Sequence, residues 1–138
     1  MIITKSEHAI IATDICNYLS SNNDTWESPP TKSCETMRTL VDMTIKEVPS
    51  LVEMAKQCDD ICLLKCAAKE IFNDGVIEWG RIMTLFALYG LVAKECEKNN
   101  MPIKKEVIIE TLSKFVVEKL ESWITKMGGW PTHPNQVD

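Results

Sequence analysis

Between Ile77 and Cys96 apolar side chains fall on nearly every face of a helix, and Ile82, Met83, Leu85, Phe86, Leu88, Leu91 and Val92 leave no continuous polar stripe. Such a helix must be surrounded, either by other helices or by lipid. The uncharged run from Ile82 to Ala93 is twelve residues, whereas crossing a bilayer takes about 20. The pattern therefore predicts a buried central helix, and the rest of the chain has to supply its wrapping.

That wrapping is also helical. Ile11, Ile15, Tyr18 and Leu19 recur at helical spacing and predict a first helix over about residues 6–20, stopped by Ser20-Ser21-Asn22-Asn23-Asp24. Pro29-Pro30 makes 25–32 a loop, after which Ser33 is the expected cap of a second helix carrying Met37, Leu40, Val41 and Ile45 and closed by Pro49. Leu51, Val52, Met54 and Ala55 form a short amphipathic piece, and Asp59-Asp60 start a helix running to about Phe72. Asn73-Asp74-Gly75 turns the chain into the central helix, and Asn99-Asn100-Met101-Pro102 turns it out again. Ile108, Leu112, Phe115, Val116 and Leu120 then predict a strongly apolar helix antiparallel to the central one. No strand period or internal repeat is found. The expected class is all-α: one domain over residues 1–138, with seven or eight helices around a central apolar hairpin.

Composition excludes several functions. With 138 residues and 45% apolar content the chain can bury a real core without disulfides or metals. A net charge of -5 argues against nucleic acid, whose phosphates need clustered Lys and Arg. The segment Met1 to His8 lacks the basic-then-apolar layout of a secretory signal, so an intracellular protein is expected and the sequon Asn23-Asp24-Thr25 is read as coincidental. Cys16, Cys34, Cys58, Cys62, Cys66 and Cys96 lie mostly in apolar helical patterns and are read as buried free thiols. Cys58, Cys62 and Cys66 share a helix face, but zinc wants four ligands and the chain adds only His8 and His133, so core packing is expected in place of a metal site. Asp59-Asp60 is read as a charge pair at a helix start. No phosphate loop or nucleophile elbow occurs, so neither an enzyme nor a cofactor is expected.

Arg81 is the side chain that most needs a reason. It lies in the first turn of the central helix, where a positive charge opposes the dipole and asks for an anion. A neighbouring carboxylate such as Glu70 or Glu78 meets that need as well as a carboxylate on a ligand does. Gly80 precedes it, and a glycine inside a helix costs about 0.8 to 1 kcal/mol relative to alanine, which points to close approach by another backbone. Taken singly, Trp123 and Trp130 are core aromatics, and Gly128-Gly129 ends a helix before a new helix start. Together, Trp79-Gly80-Arg81 and the run from Trp123 to Trp130 set one guanidinium beside an apolar wall braced by tryptophans. That layout suits gripping a helix of another protein.

The same residues resemble a known family, the B-cell lymphoma-2 (Bcl-2) apoptosis regulators. Glu70-Ile71-Phe72-Asn73-Asp74-Gly75-Val76-Ile77-Glu78-Trp79-Gly80-Arg81-Ile82 resembles its first homology region. Glu121-Ser122-Trp123-Ile124-Thr125-Lys126-Met127-Gly128-Gly129-Trp130 resembles the second, in matching order and separation. The first helix, with Asp14, Tyr18-Leu19-Ser20 and Trp26, matches more loosely, as does Met37-Arg38-Thr39-Leu40-Val41-Asp42, which carries Val41 where the third homology region has a small residue. The resemblance implies a bundle with a surface groove that receives an amphipathic third-homology-region (BH3) helix from a death-promoting partner such as Bim. The partner's aspartate would pair with Arg81. Carried over by position, the other groove residues are Ala67, Glu70, Ile71, Gly80, Met83, Thr84 and Leu88, together with Leu51, Met54 and Ala55.

Two departures from the family pattern refine this. Ile77-Glu78 stand before Trp79 where the family has Asn and one residue fewer; Glu78 is expected to cap the central helix, and its charge near a ligand aspartate predicts narrow selectivity. After Trp130 only eight residues follow, with no apolar anchor. With the compact loop between the first two helices and the decayed third region, this resembles a homologue encoded by a large DNA virus, the alternative being a truncated cellular protein. The implied function is inhibition of host-cell apoptosis by sequestering BH3 helices, in the host cytoplasm, with recruitment to the mitochondrial outer membrane through partners. The exposed groove also predicts partial two-fold self-association. Rival readings are a scaffold that modulates innate immune signalling without a usable groove, and a pro-apoptotic pore former.

Overall fold

The computed structural model describes residues 6–21 and 27–137. The sequon Asn23-Asp24-Thr25, Trp26 and residues 1–5 lie outside the described residues. Seven α-helices are described: α1 Glu7–Ser20, α2 Lys32–Glu47, α3 Ser50–Gln57, α4 Ile61–Ile71, α5 Trp79–Asn99, α6 Lys105–Phe115 and α7 Glu121–Lys126. A π-helical turn, Val116–Leu120, joins α6 to α7 so that 105–126 runs as one bent rod, and a 3₁₀ turn, Pro134–Val137, follows. No strand occurs among the described residues.

Local chemistry accounts for most boundaries. Ser6 caps α1 by accepting from the Ala9 N–H, and Asp60 caps α4 by accepting from the Cys62 N–H. The expected cap of α2 is corrected from Ser33 to Thr31, whose extended backbone leaves Oγ1 free to accept the Cys34 N–H at 3.1 Å. Ser33 is instead buried inside the first turn. The turn at Asn73-Asp74-Gly75 depends on Gly75 at φ 79°, and Asn100 at φ 52° ends α5.

As its pattern predicts, α5 is the hub, touching α1, α2, α3, α4 and α6. Leu85, Phe86, Tyr89 and Val92 are wholly buried, and each large apolar side chain so covered contributes about 1.5 to 3 kcal/mol. Gly90 lets α1 cross close by, since a Cβ there would collide with the end of the Leu19 side chain. Over Gly80 no described part of the chain makes such an approach, since nothing lies within 4 Å of a built Cβ. The close approach within the chain is at Gly90.

Two polar seams close the bundle. Arg38 of α2 donates from Nε and Nη2 to both carboxylate oxygens of Asp14 on α1, at 2.9 and 2.7 Å, and stacks over the Tyr18 ring. Tyr18 donates in turn to Asp42, and that hydrogen bond, with burial, pushes its phenol up to about 12. At the other seam Trp130 Nε1–H donates to His8 Nδ1 while His8 Nε2 meets Glu121 at 2.8 Å. The positive φ of Gly128 and Gly129 brings Trp130 back against Trp79 and Phe86, with ring centroids 5.9 and 5.5 Å away; Trp123 stands edge-on to Trp79 at 5.1 Å.

The cysteine reading divides. Cys16, Cys34, Cys58 and Cys96 are buried, but Cys62 and Cys66 are exposed, because Leu64 and Ala68 take the inward face of α4. The expectation that Cys62 and Cys66 pack in the core is therefore corrected.

Candidate helix-binding site

Arg81 emerges from the first turn of α5 at the corner where α4 ends. Asp74 supplies its anion: Nη2 donates to Oδ2 at 2.9 Å and Nη1 to Oδ1, a bidentate pair. Nη1 also donates to the carbonyls of Ile71 and Val76, at 3.3 and 3.1 Å. The guanidinium thus ties together the end of α4, the 72–78 loop and the start of α5. Of the two neighbours expected as partners, Glu78 stands 3.8 Å from Nε and Glu70 makes no ion pair with Arg81. The Arg81 guanidinium holds the exposed Asp74 carboxyl down at about 2.

Asp74 was accessible to sequence reasoning in principle. The chain reverses at Gly75, so a residue just before the turn comes opposite the first turn of α5. Glu78 does occupy the position before α5, with extended backbone, but its side chain makes no capping bond. The expectation of a Glu78 cap is corrected, because its carboxylate lies toward Arg81 instead.

The remaining groove residues fall into three groups. Met54, Glu70, Glu78 and Gly80 are exposed; Ala67, Ile71, Arg81 and Thr84 are half-buried. Leu51, Ala55, Met83 and Leu88 are all but inaccessible, at 1 to 3% exposure, and belong to the common core. Leu51 and Ala55 lie on α3, which packs on α5, the helix that carries Met83 and Leu88. The site is therefore a rim around a closed floor, and a helix can reach those four side chains only if α3 moves.

Leu63, outside the expected groove set, is 50% exposed. It precedes Ala67 by one helical turn and Ile71 by two, so all three lie on one stripe of α4. That spacing was the available signal. Beside Met54, at 48% exposure, it gives the surface flanking α5 an apolar edge on both α3 and α4.

Several known proteins are similar to this chain. Residues 31–130 match the family described as apoptosis regulator proteins, Bcl-2 family. Bovine Bcl-2-related protein A1 is 30% identical, across 75% of this chain and 67% of the relative. Zebrafish Bcl-2-related ovarian killer protein homolog A is 37% identical, but the match covers 39% of this chain and 24% of that relative. Among solved structures, the zebrafish pro-survival protein NRZ in complex with the Bad BH3 superposes with a TM-score of 0.78 at 22% identity, covering 91% of this chain and 88% of that one. Chicken BOK gives a TM-score of 0.68 at 20% identity, covering 89% of each chain.

Proposed function

The chain belongs to the Bcl-2 family of apoptosis regulators, and from that premise we propose that it restrains cell death by sequestering the BH3 helix of a pro-apoptotic partner along the rim formed by α3, α4 and the start of α5. The observation that carries the reading is the pairing of an exposed Gly80, with open space above it, and a half-exposed Arg81. A glycine that no neighbour in the chain requires leaves room for a foreign backbone. The arginine beside it offers a fixed donor fork to a ligand carboxylate.

Affinity in this reading comes from apolar anchors entering as α3 shifts. An eight-residue helix with no side-chain cap at its start is the wall that moves most readily. That movement subtracts from binding, and Glu78 repels a ligand carboxylate approaching Arg81, so both favour a narrow set of partners. Recruitment from the cytosol to the mitochondrial outer membrane would follow from the partner's location. Only eleven residues separate α1 from α2 in sequence, and that short connection supports a virus-encoded origin over a truncated cellular protein, tested by the genes that flank this one.

Calorimetric titration with BH3 peptides of Bim and Bad tests the proposal. Saturable binding to at least one peptide, lost in Arg81→Ala, is the expected result; no binding to any peptide would sink it and favour a signalling scaffold. The resemblance to ovarian killer relatives favours a second reading, a pore former. Release of dye from liposomes by the chain with an activating peptide would select that one.

A further inference from the structure

A second cleft lies between α4 and the bent rod of α6, outside the proposed groove. Its walls carry Lys65 and Lys69 from α4 and Lys114 and Lys119 from the α6 side, above a floor that includes Tyr89 and Phe115. It continues into a more apolar end formed by Phe72, Ile77 and Leu120, and Lys69, Phe115 and Lys119 line both parts. We infer that this cleft binds an anionic amphiphile: a single apolar chain ending in a carboxylate or phosphate.

The first support is the register of the π turn. Lys114 and Lys119 are five residues apart, as are Phe115 and Leu120, and in a straight α-helix such pairs would be rotated by about 140°. Here Glu121 N–H bonds the Val116 carbonyl five residues back, and the widened turn brings both pairs to one cleft. A π turn gives up regular hydrogen-bond geometry and is frequent at functional sites. This one builds a lysine pair and an apolar pair on the same wall.

The second support is charge left uncommitted. Among the described residues the lysines in ion pairs are Lys32, Lys56 and Lys105, and none of the four cleft lysines is among them. Lys65 and Lys69 stand at i and i+4, a like-charge spacing that costs a helix a few tenths of a kcal/mol. Glu110 and Glu118 also line the cleft, yet neither is paired with these lysines, so four ammonium groups face two carboxylates in a chain of net charge -5. The excess of positive charge marks the cleft as a seat for an anion.

The third support is polarity along the length. Lys65, Lys114, Glu110 and Thr111 line only the charged end, Lys69 and Lys119 stand where the two parts meet, and Phe72, Ile77 and Leu120 make the other end the more apolar. The Phe72 and Phe115 rings, 5.8 Å apart, join the two. Tyr89 is not a free donor, since its hydroxyl bonds the Leu64 carbonyl. Recognition therefore falls to the lysines at the charged end and the middle of the cleft, and to burial of a chain at the other end.

The test is titration of the whole chain with dodecanoate and dodecyl phosphate below their micelle concentrations. Inorganic phosphate and dodecyl maltoside serve as the controls carrying one part each. Saturable binding of either anionic amphiphile is expected, weakened at least tenfold by Lys65→Glu with Lys69→Glu and separately by Phe72→Ser. The charge-matched variant Lys46→Glu with Lys98→Glu should leave binding unchanged, and thermal melts confirm that each variant is folded. The two ligands distinguish a carboxylate from a phosphate head. Equal binding of inorganic phosphate, equal binding of the maltoside, or loss of affinity in the charge-matched variant would each overturn the proposal. So would attachment to phosphatidylserine-containing vesicles with no binding of the soluble amphiphiles.

Discussion

Two bidentate arginine–aspartate pairs with the same chemistry occupy opposite situations in this molecule. Arg38 and Asp14 meet between α1 and α2 with side chains only 11 and 5% exposed, whereas Arg81 and Asp74 meet at the α4–α5 corner at 29 and 51%. Burial gives the first pair no competitor, and stacking on Tyr18 fixes it further. Water and ligands reach the second. The difference separates a clamp that holds the fold from one whose carboxylate can be exchanged for another.

The comparison breaks most visibly at the buried pair. Arg38→Ala leaves Asp14 in the α1–α2 seam without its counter-charge, and stripping one partner from a buried pair costs about 3 to 5 kcal/mol. Denaturant unfolding should show a loss of that size with the slope unchanged. A loss below about 1 kcal/mol would mean that water already enters this seam and that the two pairs are alike.

At the exposed pair the sensitive quantity is binding. Arg81→Ala should weaken capture of any BH3 peptide at least tenfold while its melting temperature stays close to that of the parent chain. A large fall in melting temperature with unchanged affinity would reverse the assignment and make Arg81 a second structural clamp, acting through Asp74, Ile71 and Val76.

The contrast between these corners also marks what the sequence could convey. The hub helix, the turns at Gly75 and Asn100 and the antiparallel partner were legible because apolar periodicity and turn chemistry are local. The turn at Gly75 placed Asp74 opposite the first turn of α5, but the choice of Asp74 over Glu70 and Glu78 as the partner of Arg81 depends on the exact path of the 72–78 loop. Periodicity identified Leu51, Ala55, Met83 and Leu88 as apolar but could not say that all four are already buried where α3 packs on α5. The outward face of Cys62 and Cys66 was ambiguous because Leu64 and Ala68 offer a rival stripe on the same helix. A five-residue spacing such as Lys114 to Lys119 carries no signal until a π turn is known.

The two glycines of α5 sharpen the comparison at smaller scale. Gly80→Ala adds a methyl where nothing lies within 4 Å, so the free protein should gain about 0.5 kcal/mol, less than the helix-interior value because Gly80 is the second residue of α5. Peptide binding should fall several-fold if a foreign backbone uses that space. Gly90→Ala pushes a methyl against Leu19 and should cost about 1 kcal/mol by overpacking, moderated by the freedom of that side-chain end, with peptide affinity unaltered. Identical effects at the two positions would remove the argument for a ligand over Gly80.

The smallest effect is the most direct probe of exchange. The folded Asp74 carboxyl is held at about 2, below its ordinary 3.8, by Arg81. A depressed acid stabilises the fold above its unfolded value, and the contribution is lost as pH falls from about 4 toward 2. The melting temperature of the parent chain should therefore exceed that of Asp74→Asn slightly near neutrality and converge with it by about pH 2. Because both groups face solvent, 1 M salt should shrink the difference. The same substitution removes the charge that competes for Arg81, so Asp74→Asn should bind a BH3 peptide more tightly at neutral pH. Weaker binding would mean that Asp74 orients the guanidinium for its ligand, and that the exposed pair is a support where the comparison makes it a rival.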